Sequence, residues 1–148
     1  MDADRPGVIA PPPAVFVIAF LIGFSCRNFL PRLGSPVAGI ALVVLGAAIW
    51  AWAFTQMFRA RTNISPYKPS TAFVTGGPYG FSRNPIYVAM TLLYAGAALS
   101  FRIIPALLLL PMALLLVHFG VIRREERYLE AKFGDRYREY RSRVRRWT

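Results

Sequence analysis

Residues 103–122 read Ile-Ile-Pro-Ala-Leu-Leu-Leu-Leu-Pro-Met-Ala-Leu-Leu-Leu-Val-His-Phe-Gly-Val-Ile. A chain needs about 20 mostly apolar residues to cross about 30 Å of hydrocarbon as a helix, and this stretch has that length. Three others come close to it: 14–30, 36–58 and 85–101. Of the 148 residues, 55% are hydrophobic, and mean hydropathy is +0.41. The apolar residues are therefore gathered in blocks, leaving one loop at 59–84 and one tail at 123–148. The expectation is one all-α integral membrane domain over 1–148, with about four transmembrane helices and C-terminal amphipathic helices. No separate soluble domain has room to form.

Charge gives that expectation an orientation. The net charge of +11 invites a nucleic-acid partner, but the basic residues flank apolar spans, where lysine and arginine mark the cytoplasmic side. Arg59, Arg61, Lys68 and Arg83 lie between spans two and three, and ten more basic residues run from Arg123 to Arg146. With an even number of spans, both groups and the two termini fall on one side, leaving Arg27, Arg32 and Arg102 opposite. This predicts a bacterial inner membrane protein with cytoplasmic termini and no nucleic-acid role. The first span is expected to be retained: Asp2 and Asp4 precede it beside a single Arg5, and 26–33 offers no small-residue cleavage site. The lone cysteine, Cys26, cannot form an internal disulfide and has no partner at ligand spacing, so no metal site is expected.

Trp50, Trp52, Phe54 and Phe58 sit where an interfacial aromatic belt belongs. The loop after them contains Pro66, Pro69, Gly76, Gly77, Pro78 and Gly80, which forbid a regular helix through most of it. Spans three and four are joined by a few residues around Arg102 and Pro105, so they form a tight hairpin that sets 83–87 beside 123–126. Pro85 suits a first helical turn, and that helix N-terminus directs free N–H groups at the loop. In the tail, Leu129, Phe133, Tyr137, Tyr140 and Val144 recur at helical spacing, with Gly134-Asp135 as a break in which Asp135 caps the second helix. That apolar face either buries against the protein or lies on anionic lipid. Gly39, Gly46 and Gly96 read as close helix-packing positions, and His118 as the donor or acceptor of an inter-helix hydrogen bond.

Glu125 and Glu126 stand at the edge of span four. They either pair with neighbouring arginines, or one of them receives the ammonium of a cofactor's amino-acid end. In the second case Arg83 and Asn84 receive its carboxylate and Tyr79 and Tyr87 lie near its adenosine.

The run Phe73-Val74-Thr75-Gly76-Gly77-Pro78-Tyr79-Gly80-Phe81-Ser82-Arg83-Asn84-Pro85-Ile86-Tyr87, followed by Glu125-Glu126, Leu129, Phe133-Gly134, Tyr137 and Tyr140, resembles the isoprenylcysteine carboxyl methyltransferase and phospholipid methyltransferase superfamily. The resemblance extends over about 62–145. It implies an S-adenosylmethionine-dependent membrane methyltransferase whose cytoplasmic cofactor loop and paired glutamates hold the cofactor. Gly77, Pro78, Tyr79, Arg83, Asn84, Pro85, Tyr87, Glu125 and Glu126 would be the cofactor-binding residues. Arg123 and Arg124 would orient a lipophilic or lipidated acceptor entering from the membrane. Two positions depart from the eukaryotic prenylcysteine enzymes: Asn84 replaces a His, and Val121 falls where they carry an Arg that Arg123 or Arg124 would have to replace. The competing readings are an NADPH-dependent membrane reductase and a non-catalytic protein that binds lipid or a partner.

Overall fold

The computed structural model describes residue 7, residues 10–62 and residues 73–147. The expectations resting on Asp2, Asp4, Arg5, Pro66, Lys68 and Pro69 lie outside the described residues. Helices α1 (Pro12–Ser25), α2 (Pro36–Arg59), α3 (Pro85–Ser100) and α4 (Ile104–Val117) each carry proline in the first turn, where a missing N–H leaves no helical bond unmade. From α4 the chain passes through a π turn at His118–Ile122 into α5 (Arg123–Phe133), and α6 (Asp135–Arg143) follows. Among the described residues there is no strand.

Among the described residues, two helices are long and apolar enough to cross a membrane: Pro36–Arg59 and the continuous Ile104–Phe133. The outer surfaces of the bundle are apolar, with Val17, Ile18, Leu21, Val44, Leu108 and Leu116 all more than half exposed. In water such a surface would be a liability; hydrocarbon is its natural solvent. The other two apolar helices are shorter than the sequence suggests. Helix α1 closes at Ser25, where Cys26 and Arg27 donate back to Ile22 and Phe24, so its 14 residues rise only about 21 Å. With 16 residues, α3 rises about 24 Å.

The helices pack antiparallel, α2 on α3 and α1 on α4. At the α2–α3 contact the backbones touch: a Cβ added to Gly96 would come within 2.7 Å of the Gly39 carbonyl, and one on Gly46 within 3.0 Å of the Ala89 carbonyl. The packing role expected of these glycines is thus observed. On the other side Gly23 rests on the Ala106 backbone, Tyr94 donates to the Ala106 carbonyl at 2.8 Å, and Phe20 meets the Tyr94 ring edge-on at 5.4 Å. The expected tight hairpin between α3 and α4 closes through Ile103 N–H to the Ala98 carbonyl at 2.8 Å, with Arg102 at φ 56°.

One end of the bundle collects the polar chain. Helices α1 and α3 start there, and α2 and α4 finish there. Arg124 donates to the Gly7 carbonyl at 2.9 Å, and Arg83 N–H donates to the Arg145 carbonyl at 3.0 Å, so the N-terminal segment, the loop and the tail meet. The tail breaks at Gly134 (φ 54°) as its sequence suggests, but Asp135 is the first residue of α6 and makes no cap bond; it pairs with Arg138 at 3.3 Å instead. Tyr137 and Tyr140 are buried. Phe73 covers them, stacked on Phe133 at 5.5 Å and meeting Tyr140 edge-on at 5.0 Å. Among the described residues His118 makes no inter-helix hydrogen bond of the kind expected; its ring stacks on Trp147 at 6.4 Å and 22°. Trp52, Phe58 and Phe81 are exposed at this end, as befits an aromatic belt.

Candidate functional site

The Gly77–Gly80 segment forms a single 3-10 turn. Gly77 has φ 60°, and the Gln56 side chain lies 2.8 Å from where its Cβ would be, so no larger residue fits there without displacing Gln56. On the opposite side the Tyr140 hydroxyl donates to the Tyr79 carbonyl at 2.6 Å. The turn is therefore pinned between α2 and α6. Burial raises the Tyr79 and Tyr140 phenols above their ordinary range, and for Tyr79 the nearby Tyr140 and Glu125 add to the effect. Tyr137 is pushed up to about 12, first by burial and then by Glu126. All three phenols stay protonated at neutral pH.

The two glutamates have different partners, because one residue rotates a helix by about 100°. Glu126 is buried and accepts a bidentate pair from Arg146, Nε to Oε1 at 2.9 Å and Nη2 to Oε2 at 2.7 Å. Arg83 Nη1 lies 3.2 Å from the same Oε1, within ion-pair reach but not aligned for a hydrogen bond. The pairing strengthens the hold of Arg146 on its proton. Glu125 instead accepts from the Tyr87 hydroxyl at 2.9 Å. Among the described residues no cation is bonded to it; burial lifts its carboxyl to about 7, and the neighbouring Glu126 charge acts in the same direction.

Arg83 completes the cluster. Its side chain is 10% exposed, yet among the described residues its Nε and Nη1 protons find no hydrogen-bond acceptor. A buried guanidinium with idle donors has capacity for an anion.

The structure brings Tyr79, Arg83, Tyr87, Glu125 and Glu126 together. Gly77, Pro78 and Pro85 are placed as backbone supports of that group, with Pro78 and Pro85 buried. Asn84 is buried as well, and its amide donates to the Arg146 carbonyl at 3.1 Å, so it ties the loop to the tail. Arg123 and Arg124 point elsewhere. The Arg123 guanidinium lies 5.6 Å over the Phe119 ring, and Arg124 reaches the N-terminal segment. The guanidinium beside the glutamates is supplied by Arg83 and Arg146, not by Arg123 or Arg124, and Val121 is packed in the apolar core. Arg146 and Trp147 were not singled out from the sequence. The available signal was that α6's charge pattern gives way to Val144, whose extended backbone turns the following side chains inward.

Fold and site together define an all-helical, membrane-type bundle with a buried charged and aromatic cluster at one end. The chain belongs to the phospholipid methyltransferase family, whose model matches residues 35–136, more than half of the sequence and the greater part of the cluster. It is also similar to an uncharacterized protein of Haemophilus influenzae, 56% identical over 34 residues, which cover 23% of this chain and 54% of that one. The match thus spans about half the length of that relative.

Proposed function

We propose that this chain transfers the methyl group of S-adenosylmethionine to a membrane-borne acceptor, an isoprenylcysteine-like carboxylate or a lipid. The observation that carries the reading is the division of labour between adjacent carboxylates. Glu126 is already satisfied by arginine, while, among the described residues, half-buried Glu125 accepts from Tyr87 with no cation on it and Arg83 keeps two donors idle. An ammonium for Glu125 and a carboxylate for Arg83 are the two ends of an amino acid, so the residues present fit the amino-acid part of this cofactor. Tyr79 and Tyr87 would flank its remainder.

The cofactor supplies a methyl carbon on a sulfonium, which passes to a nucleophile while the bonding pair returns to sulfur. What the protein contributes is alignment and exclusion of water, and alignment alone is worth roughly 7–11 kcal/mol in well-oriented systems. Glu125 and Arg83 hold the two ends of the cofactor, and the Gly77–Gly80 turn and α6 close the face away from the bundle. Arg123 and Arg124, at the junction of the apolar and charged parts of the long helix, would hold an acceptor's polar head. The acceptor's apolar chain would stay in the bilayer. In this reading α1 and α3 also cross the membrane, making four spans, with the site on the cytoplasmic side.

The test is retention of labelled S-adenosylmethionine against labelled NADPH by the purified protein in detergent. Retention of the first alone is expected. Retention of NADPH would favour a reductase, and retention of neither a non-catalytic protein.

A further inference from the structure

After α6 the chain stops being helical. Val144 adopts φ −114°, ψ 128°, and the following residues run alongside residues 82–84. The Arg145 carbonyl accepts from Arg83 N–H at 3.0 Å. The Arg146 carbonyl accepts from the Ser82 hydroxyl at 3.2 Å and from the Asn84 amide at 3.1 Å. The Arg146 guanidinium holds both oxygens of Glu126, and the Trp147 ring lies over His118 at the π turn. Four residues thus join the loop, the long helix and the tail.

What this does for the site follows from Arg83. Its Nη1 is 3.2 Å from Glu126 yet makes no hydrogen bond, because Glu126 is oriented by the bidentate grip of Arg146. A planar fork fixes a carboxylate in both position and rotation. Without it, Glu126 keeps only the ion pair with Arg83, and the cost of leaving buried carboxylate oxygens without a hydrogen bond would turn the Arg83 donors into line with them. The donors of Arg83 would then be consumed within the protein.

We propose that residues 144–147 form a clasp in which Arg146 is a positioning residue: its fork occupies both oxygens of Glu126, so that Arg83 stays ion-paired to Glu126 while its hydrogen-bond donors remain open to the carboxylate of the cofactor. This rests on the reading of S-adenosylmethionine as the cofactor.

The experiment compares S-adenosylmethionine with decarboxylated S-adenosylmethionine, which lacks the group Arg83 would receive, on the full chain in detergent. In Arg146→Ala, affinity for S-adenosylmethionine should fall about tenfold or more, the loss of a charge-assisted bond, while affinity for the decarboxylated compound changes less than about twofold. Arg146→Lys should recover part of the difference. Equal weakening for both compounds, or no change for either, would overturn the positioning role. A ligand-independent arm separates this outcome from failure of the cofactor reading. In a Cys26→Ser background, a cysteine replacing Ser82, which is 4% exposed, should react with a thiol reagent many times faster once Arg146→Ala is added. If the unmutated protein binds neither compound, both the cofactor reading and the positioning role fall, and the labelling rate alone decides the clasp; an unchanged rate would refute the clasp.

Discussion

The α2–α3 contact and the polar end of the bundle are held by opposite means. Between α2 and α3 the glycines, which contribute no side chain, let backbone and the side chains of Val43, Leu92, Leu93 and Ser100 come into close contact. In lipid, apolar side chains gain little by leaving one hydrocarbon environment for another, so close packing must supply the attraction. At the polar end the reverse holds: a ring cluster around Phe73 and an Arg83–Glu126–Arg146 network hold loop and tail. The first region tolerates no added volume, and the second tolerates no unmatched charge.

The largest effect should come from breaking the first region. Gly96→Val places atoms against the Gly39 carbonyl and Val43, and overpacking against backbone should cost about 3 kcal/mol or more. Thermal unfolding in detergent measures this, and a loss below about 1 kcal/mol would mean that α2 and α3 are not held by close approach.

Next comes Glu126→Gln, which leaves Arg83 and Arg146 without a counter-charge. Buried pairs broken from one side lose about 3–5 kcal/mol, but the Arg146 side chain is a third exposed, so about 2 kcal/mol is the expected loss. Glu125→Gln is the contrasting variant: it should leave the unliganded protein as stable or slightly more stable at pH 8 while weakening S-adenosylmethionine about tenfold or more. If both variants lose stability alike, the two carboxylates do not have separate tasks.

The same contrast should appear against pH. The Glu125 carboxyl is raised from 4.5 to about 7, so the folded state favours its protonated form. Its contribution to stability is complete below pH 4.5 and fades as pH rises through about 7. Affinity for a cofactor ammonium should move the opposite way and rise as the carboxyl ionises. Titrations of Tm and binding should both flatten near pH 7 in Glu125→Gln. The smallest effect is expected at Arg138→Ala: its exposed pair with Asp135 is screened by water, and Tm should not change measurably.

Much of this architecture was legible because it is local. Hydrophobic blocks gave the helices, proline their starts, and Gly134 the break before α6. The tail's heptad-like face was equally clear, although its partner Phe73 lies some sixty residues earlier and no periodicity could point to it. The paired glutamates stood out, but not which of them would be free. That depends on Arg146, 20 residues from Glu126. In a tail holding Arg136, Arg138, Arg141, Arg143, Arg145 and Arg146, sequence alone gives each the same charge and no direction. The end of α1 was not legible for a physical reason too: hydropathy marks where a chain is apolar, and α1 stops where its backbone bonds turn, five residues before the apolar run ends.

The π turn at His118–Ile122 sets the azimuth of everything beyond it. A π turn winds about one residue more than an α turn into the same rise, and one residue is worth about 100° of rotation. It therefore acts as a phase shifter between two parts of one rod. The α4 part can present whichever face its neighbours α1 and α3 require, while the α5 part turns Glu125 and Glu126 toward the loop. An uninterrupted α-helix would lock the two orientations to a single phase, and the acidic pair would look past Arg83 and Tyr87.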